Sequence, residues 1–391
     1  MPFRRAAVAA TAPWSITALH ARVIAPFLAQ FAPLVDVEYY RTTPLDMVLG
    51  LIVKCAVSAY GALLCASIVS ARARRGVRKI HAGARANAHL VLSSEKKWSK
   101  DNQSRVFGDG WHVRKTKTIV FIRHGESTWN EVFNRGFFSG LTMPVRIVIG
   151  VACEVLKFFS DDSYFLDSPL SAKGAAQATE LRDFFTKERA LREAGVGDRQ
   201  SDIVDIIVGV RGRSVIVSSN LRRAVNTTVH ALWCRLRSKS EKVVIHSALQ
   251  EMARNVDTYA LASGRGEIVP TQHLAKELGL DEFDASAIMD ASANAGQKSL
   301  NRKGVNSLRE FAAWSMNESA DVIIAGGHSI WFREFFKHFL PSDSSCEGKK
   351  KKIVNCGVVA FDLQFGTHPE HGEMYAIDSA SVRVVRGGFG K

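Results

Sequence analysis

The sequence predicts a three-layer α/β/α domain with a mostly parallel central sheet, preceded by a transmembrane helix. Three observations predict it. From Lys117 onward, short runs rich in β-branched residues recur, at Thr118–Ile122, Ser214–Ser218, Val243–Ile245 and Asp321–Ala325. Such runs mark strands buried on both faces, and the longer stretches between them carry a helical period, the alternation of a sheet with covered faces. Ahead of them all, Met47–Ser70 holds one charge, Lys54, in 24 residues.

Taken in order, residues 1–46 form an N-terminal tail or targeting segment. Residues 1–35 carry Arg4, Arg5 and Arg22 with no acid and many alanines, which suits either mitochondrial targeting or a short exposed tail. Residues 47–70 as a helix would be about 36 Å long, against about 30 Å for a bilayer's hydrocarbon core. Lys54, a third of the way in, can snorkel to the near interface. Arg72, Arg74, Arg75, Arg78 and Lys79 follow at once. The positive-inside rule then places the C-terminal domain in the cytosol, with a mitochondrial membrane as the alternative location. Ser58, Ala62, Ala66 and Ser70 give the span one small face, which allows a homodimer. Residues 71–116, polar and weakly periodic, are expected as a basic juxtamembrane linker, helical in part near Ala82–Leu92. The α/β domain then occupies 117–391, with an insertion over 131–166.

Within that domain, helices are expected over Ser171–Ala190, with Ser171 as cap, and over Leu221–Leu236, Asn306–Met316 and Ile330–Phe339. Val358–Leu363 and Val382–Val385 read as late strands at an antiparallel edge. In the insertion, Leu141–Phe159 is apolar but holds Arg146, Glu154 and Lys157, too many charges for a span. It suits a helix packed beside the domain, a lid, or an element lying on the membrane.

Charge and cysteine usage narrow the function classes. The net charge of +14 is uneven: residues 1–110 hold fifteen Lys/Arg against six Asp/Glu. A nucleic-acid binder would place its basic stripe on the folded domain, so the excess points to a membrane surface. The six cysteines form no CxxC pair, which fits a reducing compartment and implies neither zinc nor disulfides.

Chemistry concentrates where strands end. Arg123-His124-Gly125-Glu126-Ser127-Thr128-Trp129-Asn130 follows the first strand. Ser219-Asn220-Leu221-Arg222-Arg223-Ala224 follows the second, Leu249-Gln250-Glu251 the third, and Gly326-Gly327-His328-Ser329 the fourth. Asp167-Ser168-Pro169-Leu170-Ser171 opens a helix. Ligands of open α/β sheets bind beyond the carboxyl ends of the strands. Two arginines there can neutralise and orient a phosphoryl group through forked hydrogen bonds. One imidazole can attack phosphorus, a second can stabilise its oxygens, and a carboxyl can protonate the leaving group.

This ordered set, RHGESTWN, SPLSAKG, SSNLRRA, LQE and GGHS, resembles the histidine phosphatase superfamily, the phosphoglycerate-mutase-like fold. The resemblance runs from about Thr118 to Gly388. It implies that His124 is the nucleophile that becomes phosphohistidine and that Glu251 is the proton donor. Arg123, Arg223 and His328 complete the phosphate pocket, with Asn130 at its edge, while Arg222 caps the helix or faces solvent. No cofactor and no metal are implied. The glycolytic mutases of this family carry Arg directly after the acid, where this chain has Met252, and they lack the long insertion. Both departures favour hydrolysis of a phosphomonoester, either a phosphorylated small molecule or a phosphoprotein. The alternatives are a phosphoglycerate-type mutase, a protein phosphatase and a catalytically silent phosphate-binding membrane scaffold. Lys349–Lys352 is expected as a solvated loop or as a recruiter of anions.

Overall fold

The computed structural model describes residues 44–96, 110–134, 142–195, 202–269 and 274–390. The targeting segment, the first residues of the insertion helix and part of the expected linker lie outside them. Residues 1–79 and 80–391 form two separate compact units.

In the first unit, helix α1 (Pro44–Val69) begins three residues before the expected span. Its Val48–Val69 portion is long and apolar enough to cross a membrane, and none of it is buried. Helix α2 (Ala71–Leu92) follows. The segment expected as a linker is thus helical over this length. In the second unit, Ala86 packs with Leu166 and Tyr259, and Glu95, in a 3-10 turn after α2, is buried. Ala86 and Glu95, from the expected linker, thus carry an apolar contact and a paired carboxylate into this unit.

The elements that follow are β1 (His112–Arg123), α3 (Thr128–Phe133), α4 (Met143–Leu156), α5 (Ala172–Glu193), α6 (Asp202–Ile207), β2 (Ser214–Ser218), α7 (Arg222–Ala231), α8 (Trp233–Lys239) and β3 (Val243–Ile245). After them come α9 (Leu274–Leu278), α10 (Ala285–Ile288), β4 (Met289–Asp290), α11 (Gly304–Asn317), β5 (Val322–Gly327), α12 (Ser329–Phe339), β6 (Lys352–Ile353), β7 (Val358–His368), β8 (Gly372–Ile377), β9 (Arg383–Arg386) and β10 (Phe389–Gly390). The single helix expected over Leu221–Leu236 is broken at Leu232, whose non-helical φ of −103° separates α7 from α8.

The main sheet runs β4-β3-β2-β5-β1-β7-β8, with β9 also paired to β7. From β4 to β1 every pairing is parallel, whereas β7 is antiparallel to β1, β8 and β9. Side chains alternate across the strands, so each face has its own core. Val120, Ile122, Ile216 and Ile324 pack against Leu181, Phe185, Val225 and Val229 of α5 and α7. Ile119, Phe121, Val217 and Ile323 pack against Leu308 and Phe311 of α11 and the aromatics of α12. The expected three-layer class is the one observed. Because β2, β5 and β1 are parallel neighbours, their carboxyl ends lie side by side, and the three motifs that follow them meet there.

Candidate active site

The loop after β1 turns sharply because two glycines let backbones touch. A Cβ on Gly125 would stand 2.6 Å from the Gly174 carbonyl, and one on Gly174 would stand 1.9 Å from the Glu126 carbonyl. Neither space admits a side chain, so the N-terminus of α5 seats directly on the loop. Ser171 caps α5 as expected, accepting from the Gly174 amide at 3.1 Å. Ser127 caps α3 in the same way, through the Asn130 amide at 3.2 Å.

His124 leaves the strand buried, its amide donating to the Gly327 carbonyl at 3.0 Å. Its Nδ1 lies 2.5 Å from the Gly125 carbonyl. A carbonyl only accepts, so the network assigns the proton to Nδ1 and leaves Nε2 with a free lone pair. Burial first, then the Arg223 and Arg123 charges, hold the imidazole well below the usual histidine range, hence neutral. His328 leaves the adjacent strand β5, and its ring centre lies 5.0 Å from that of His124. It is fully buried, one layer beneath the cleft, with Nε2 at 2.8 Å from the Ser219 hydroxyl and no partner for Nδ1 among the described residues.

Arg123 donates to the Ile353 carbonyl at 2.6 Å, and burial lowers it to about 10 against the pull of Glu251. Arg223 is held by the Asp257 carbonyl at 2.9 Å and faces the Asp257 carboxylate at 3.5 Å. Burial raises Asp257, with Arg223 opposing it. Glu251 lies after a 3-10 turn, Ser247–Leu249, that follows β3. Its Oε1 accepts from the amides of Met252 at 3.0 Å and Trp331 at 2.9 Å, and its Oε2 from that of Ile330 at 3.2 Å. The carboxyl thus sits at the amino end of α12, which favours its anion. Burial outweighs these donors and raises its pKa.

Arg123, His124, Asn130, Arg223 and Glu251 line one cleft of about 410 Å³. Asn130 stands at its edge, half-buried, accepting from Asn134 at 2.7 Å. A wider depression of about 590 Å³, between Pro341, Cys346 and Phe389, has no histidine or arginine in its lining.

Arg222 corrects an expectation. It is buried rather than capping or solvent-facing: its guanidinium pairs with Asp162 and donates to the Asp167 and Ser163 carbonyls at 2.8 and 2.7 Å. Asp167, at φ 46°, also accepts the Arg222 amide at 2.8 Å. The insertion's return strand is therefore clasped to the start of α7, and the arginine next to Arg223 serves that clasp.

Other cleft residues were not singled out by their sequence pattern. Lys352 and Asn355 line it from the segment before β7, and Asn355 Nδ2 donates to the His124 carbonyl at 3.3 Å. Burial, Arg123 and Arg333 lower the Lys352 ammonium. Arg254, which the sequence does offer as an anion binder two residues after Met252, lines the cleft too. Behind Glu251, Lys298 pairs with Glu95 and donates to the Glu251 carbonyl at 2.6 Å, while Glu95 accepts the Ala253 amide at 2.6 Å. Residues so distant in sequence give no local signal. Only the basic character of the 349–352 run pointed to Lys352.

The fold brings two arginines, one imidazole and a buried carboxyl together in one cleft, with a second, buried imidazole behind it. No family model and no curated protein matches the chain. Among solved structures it is similar to a mycobacterial glucosyl-3-phosphoglycerate phosphatase, at 14% identity over 67% of this chain and 97% of that one, with a TM-score of 0.31. It is also similar to a phosphoglycerate mutase from Bacillus anthracis, at 15% identity over 71% and 94%, TM-score 0.33. A third is the ecdysone phosphate phosphatase from Bombix mori, at 15% identity over 63% and 88%, TM-score 0.30.

Proposed function

We propose that this chain is a membrane-anchored phosphomonoester hydrolase of the histidine phosphatase superfamily, working through a phosphohistidine on His124. The observation that carries the proposal is the state of His124. It is neutral, with Nδ1 bound to its own loop and Nε2 bearing a lone pair, in a cleft lined by Arg123, Arg223 and Glu251.

In the first step, Nε2 attacks phosphorus and the P–O bond to the alcohol breaks. The protonated Glu251 gives its proton to the leaving oxygen. Arg123 and Arg223 stabilise the charge on the equatorial oxygens, and the fully buried His328 backs the His124 ring from 5.0 Å. In the second step, water attacks phosphorus, the Glu251 carboxylate takes the water's proton, and the P–N bond breaks to restore His124. Apart from the substrate and water, no further reactant is needed. The substrate is a phosphorylated small molecule or a phosphoprotein. Helix α1 is the anchor, and the basic residues after it favour a cytosolic domain.

A mutase is the second reading, favoured by one observation: Arg254 and Lys352 line the same cleft and can hold a second anionic group. Trapping with a labelled phosphomonoester separates the readings. Wild-type protein is expected to give an acid-labile, alkali-stable phosphoenzyme and free phosphate, both absent in His124→Ala. Absence of label and hydrolysis across a broad monoester panel would refute the enzyme. Isomerisation of 3-phosphoglycerate faster than its hydrolysis would replace hydrolase by mutase.

The pH profile follows from the two shifts. His124 must be unprotonated, and its pKa is held well below 6.5, so the nucleophile persists into the acid range. Glu251 must be protonated, and its pKa is raised above 4.5, so the acid is lost as pH rises through that shifted value. The expected kcat/KM is therefore highest on the acid side and falls with rising pH. Glu251→Gln should abolish that fall and lower the rate about 10²- to 10⁴-fold. An unchanged alkaline limb in this variant would assign the proton to another group.

A further inference from the structure

We propose that the outer face of helix α4 docks on the surface of a lipid bilayer. The helix is amphipathic in the reverse sense for a soluble domain. Val145, Val148, Ile149, Ala152, Val155, Leu156 and Phe159 recur at helical spacing, and all are exposed. Val148, Val155 and Leu156 are 68%, 66% and 86% exposed.

The polar residues of the same segment point the other way. Arg146 donates to the Glu131 carbonyl at 2.9 Å. Glu154 accepts from the Ser163 hydroxyl at 2.8 Å and from the Tyr164 and Phe165 amides at 2.6 and 3.1 Å. Lys157 pairs with Asp162. Each charge that water would solvate is spent on fixing the helix to the domain, and the side left to the surroundings bears no polar side chain. An apolar stripe of this continuity marks an interaction surface rather than scatter.

The occupant is a bilayer for two reasons. The chain carries its own membrane-length apolar helix, Val48–Val69. On the anchored reading proposed above, on which this inference rests, the domain meets lipid at a far higher effective concentration than it meets a second copy. The stripe is also aliphatic, with Phe159 its one aromatic and no Tyr, Trp or Arg, the residues that anchor protein interfaces. A helix embedded along its apolar side, about 5–10 Å into the headgroup boundary, uses such a face in full. Packing is seen on its inner side, where Gly150 lies against Phe165 and Tyr164. Since Arg146 grips the backbone of α3, which carries Asn130, docking would hold the cleft's edge near the lipid surface.

The full chain in phosphatidylcholine vesicles tests this, with p-benzoylphenylalanine in place of Ile149 or Val155 and, as control, of the exposed Lys187. Both stripe positions are solvent-exposed, so the replacement leaves the core intact. Lipid adducts at 149 and 155 should exceed those at 187 by about tenfold, and Val145→Asp with Val148→Asp should reduce them to the control level. Cross-links to a second copy in place of lipid would overturn the proposal in favour of a dimer. Vesicle flotation with no lipid adduct at either position would overturn it while leaving the α1 anchor standing.

Discussion

Helices α12 and α4 are both apolar in sequence, yet the protein treats them in opposite ways. Helix α12 buries Trp331, Phe332, Phe335, Phe336 and Phe339. Phe332 stacks on Phe121 of β1 at 4.0 Å, and Phe335 meets the same ring edge-on at 5.3 Å. Its Arg333, Glu334 and Lys337 form ion pairs on the outer side. Helix α4 inverts this, tying its charges inward and presenting valines outward. Helix α4 is the more apolar of the two, yet the direction of its few charges leaves its apolar side outward. In α12 the partner is the sheet beneath the active-site strand ends, so its packing supports the amides that hold Glu251.

Three substitutions would sharpen or break the contrast. The largest effect is expected from Phe335→Ala, which empties a fully buried ring site and should cost about 3–5 kcal/mol by denaturant titration. A loss below about 1 kcal/mol would mean that this core is not close-packed. Gly150→Ala comes next. Its Cβ would stand 2.7 Å from a Phe165 ring atom, so the inner face of α4 should lose about 1–3 kcal/mol. A neutral result there would show that α4 is not seated on Phe165. Val155→Ser, on the outer face, should change the stability of the protein in solution by less than about 0.5 kcal/mol. A core-sized loss would place that face inside the fold and end the comparison.

Much of this organisation is legible in the sequence. Strands β2 and β3 fall where their apolar runs do, since a strand buried on both faces needs an unbroken run. That Arg123, His124, Asn130, Arg223 and Glu251 share one cleft is legible because each lies at or after a strand end, and parallel order brings those ends together. Strand β8 gives no such signal: four of the six residues of Gly372–Ile377 are exposed or partly so, which blurs its pattern. Strands β4, β6 and β10 are two residues each, too short for any period to register. Arg222 looked like a capping or surface residue because nothing near it announces Asp162, which arrives only when the insertion folds back. Asp257 and Lys352 are likewise products of tertiary approach.

The Glu95–Lys298 pair fixes where the chain can be cut ahead of the α/β domain. A cut ahead of Ala86 leaves both its contact with Leu166 and Tyr259 and the counter-ion in place. A cut beyond Glu95 strips the acid from a buried ammonium that holds the Glu251 backbone, an uncompensated charge costing about 3–5 kcal/mol. Proteolysis on one side of this residue keeps the buried pair, and on the other side breaks it.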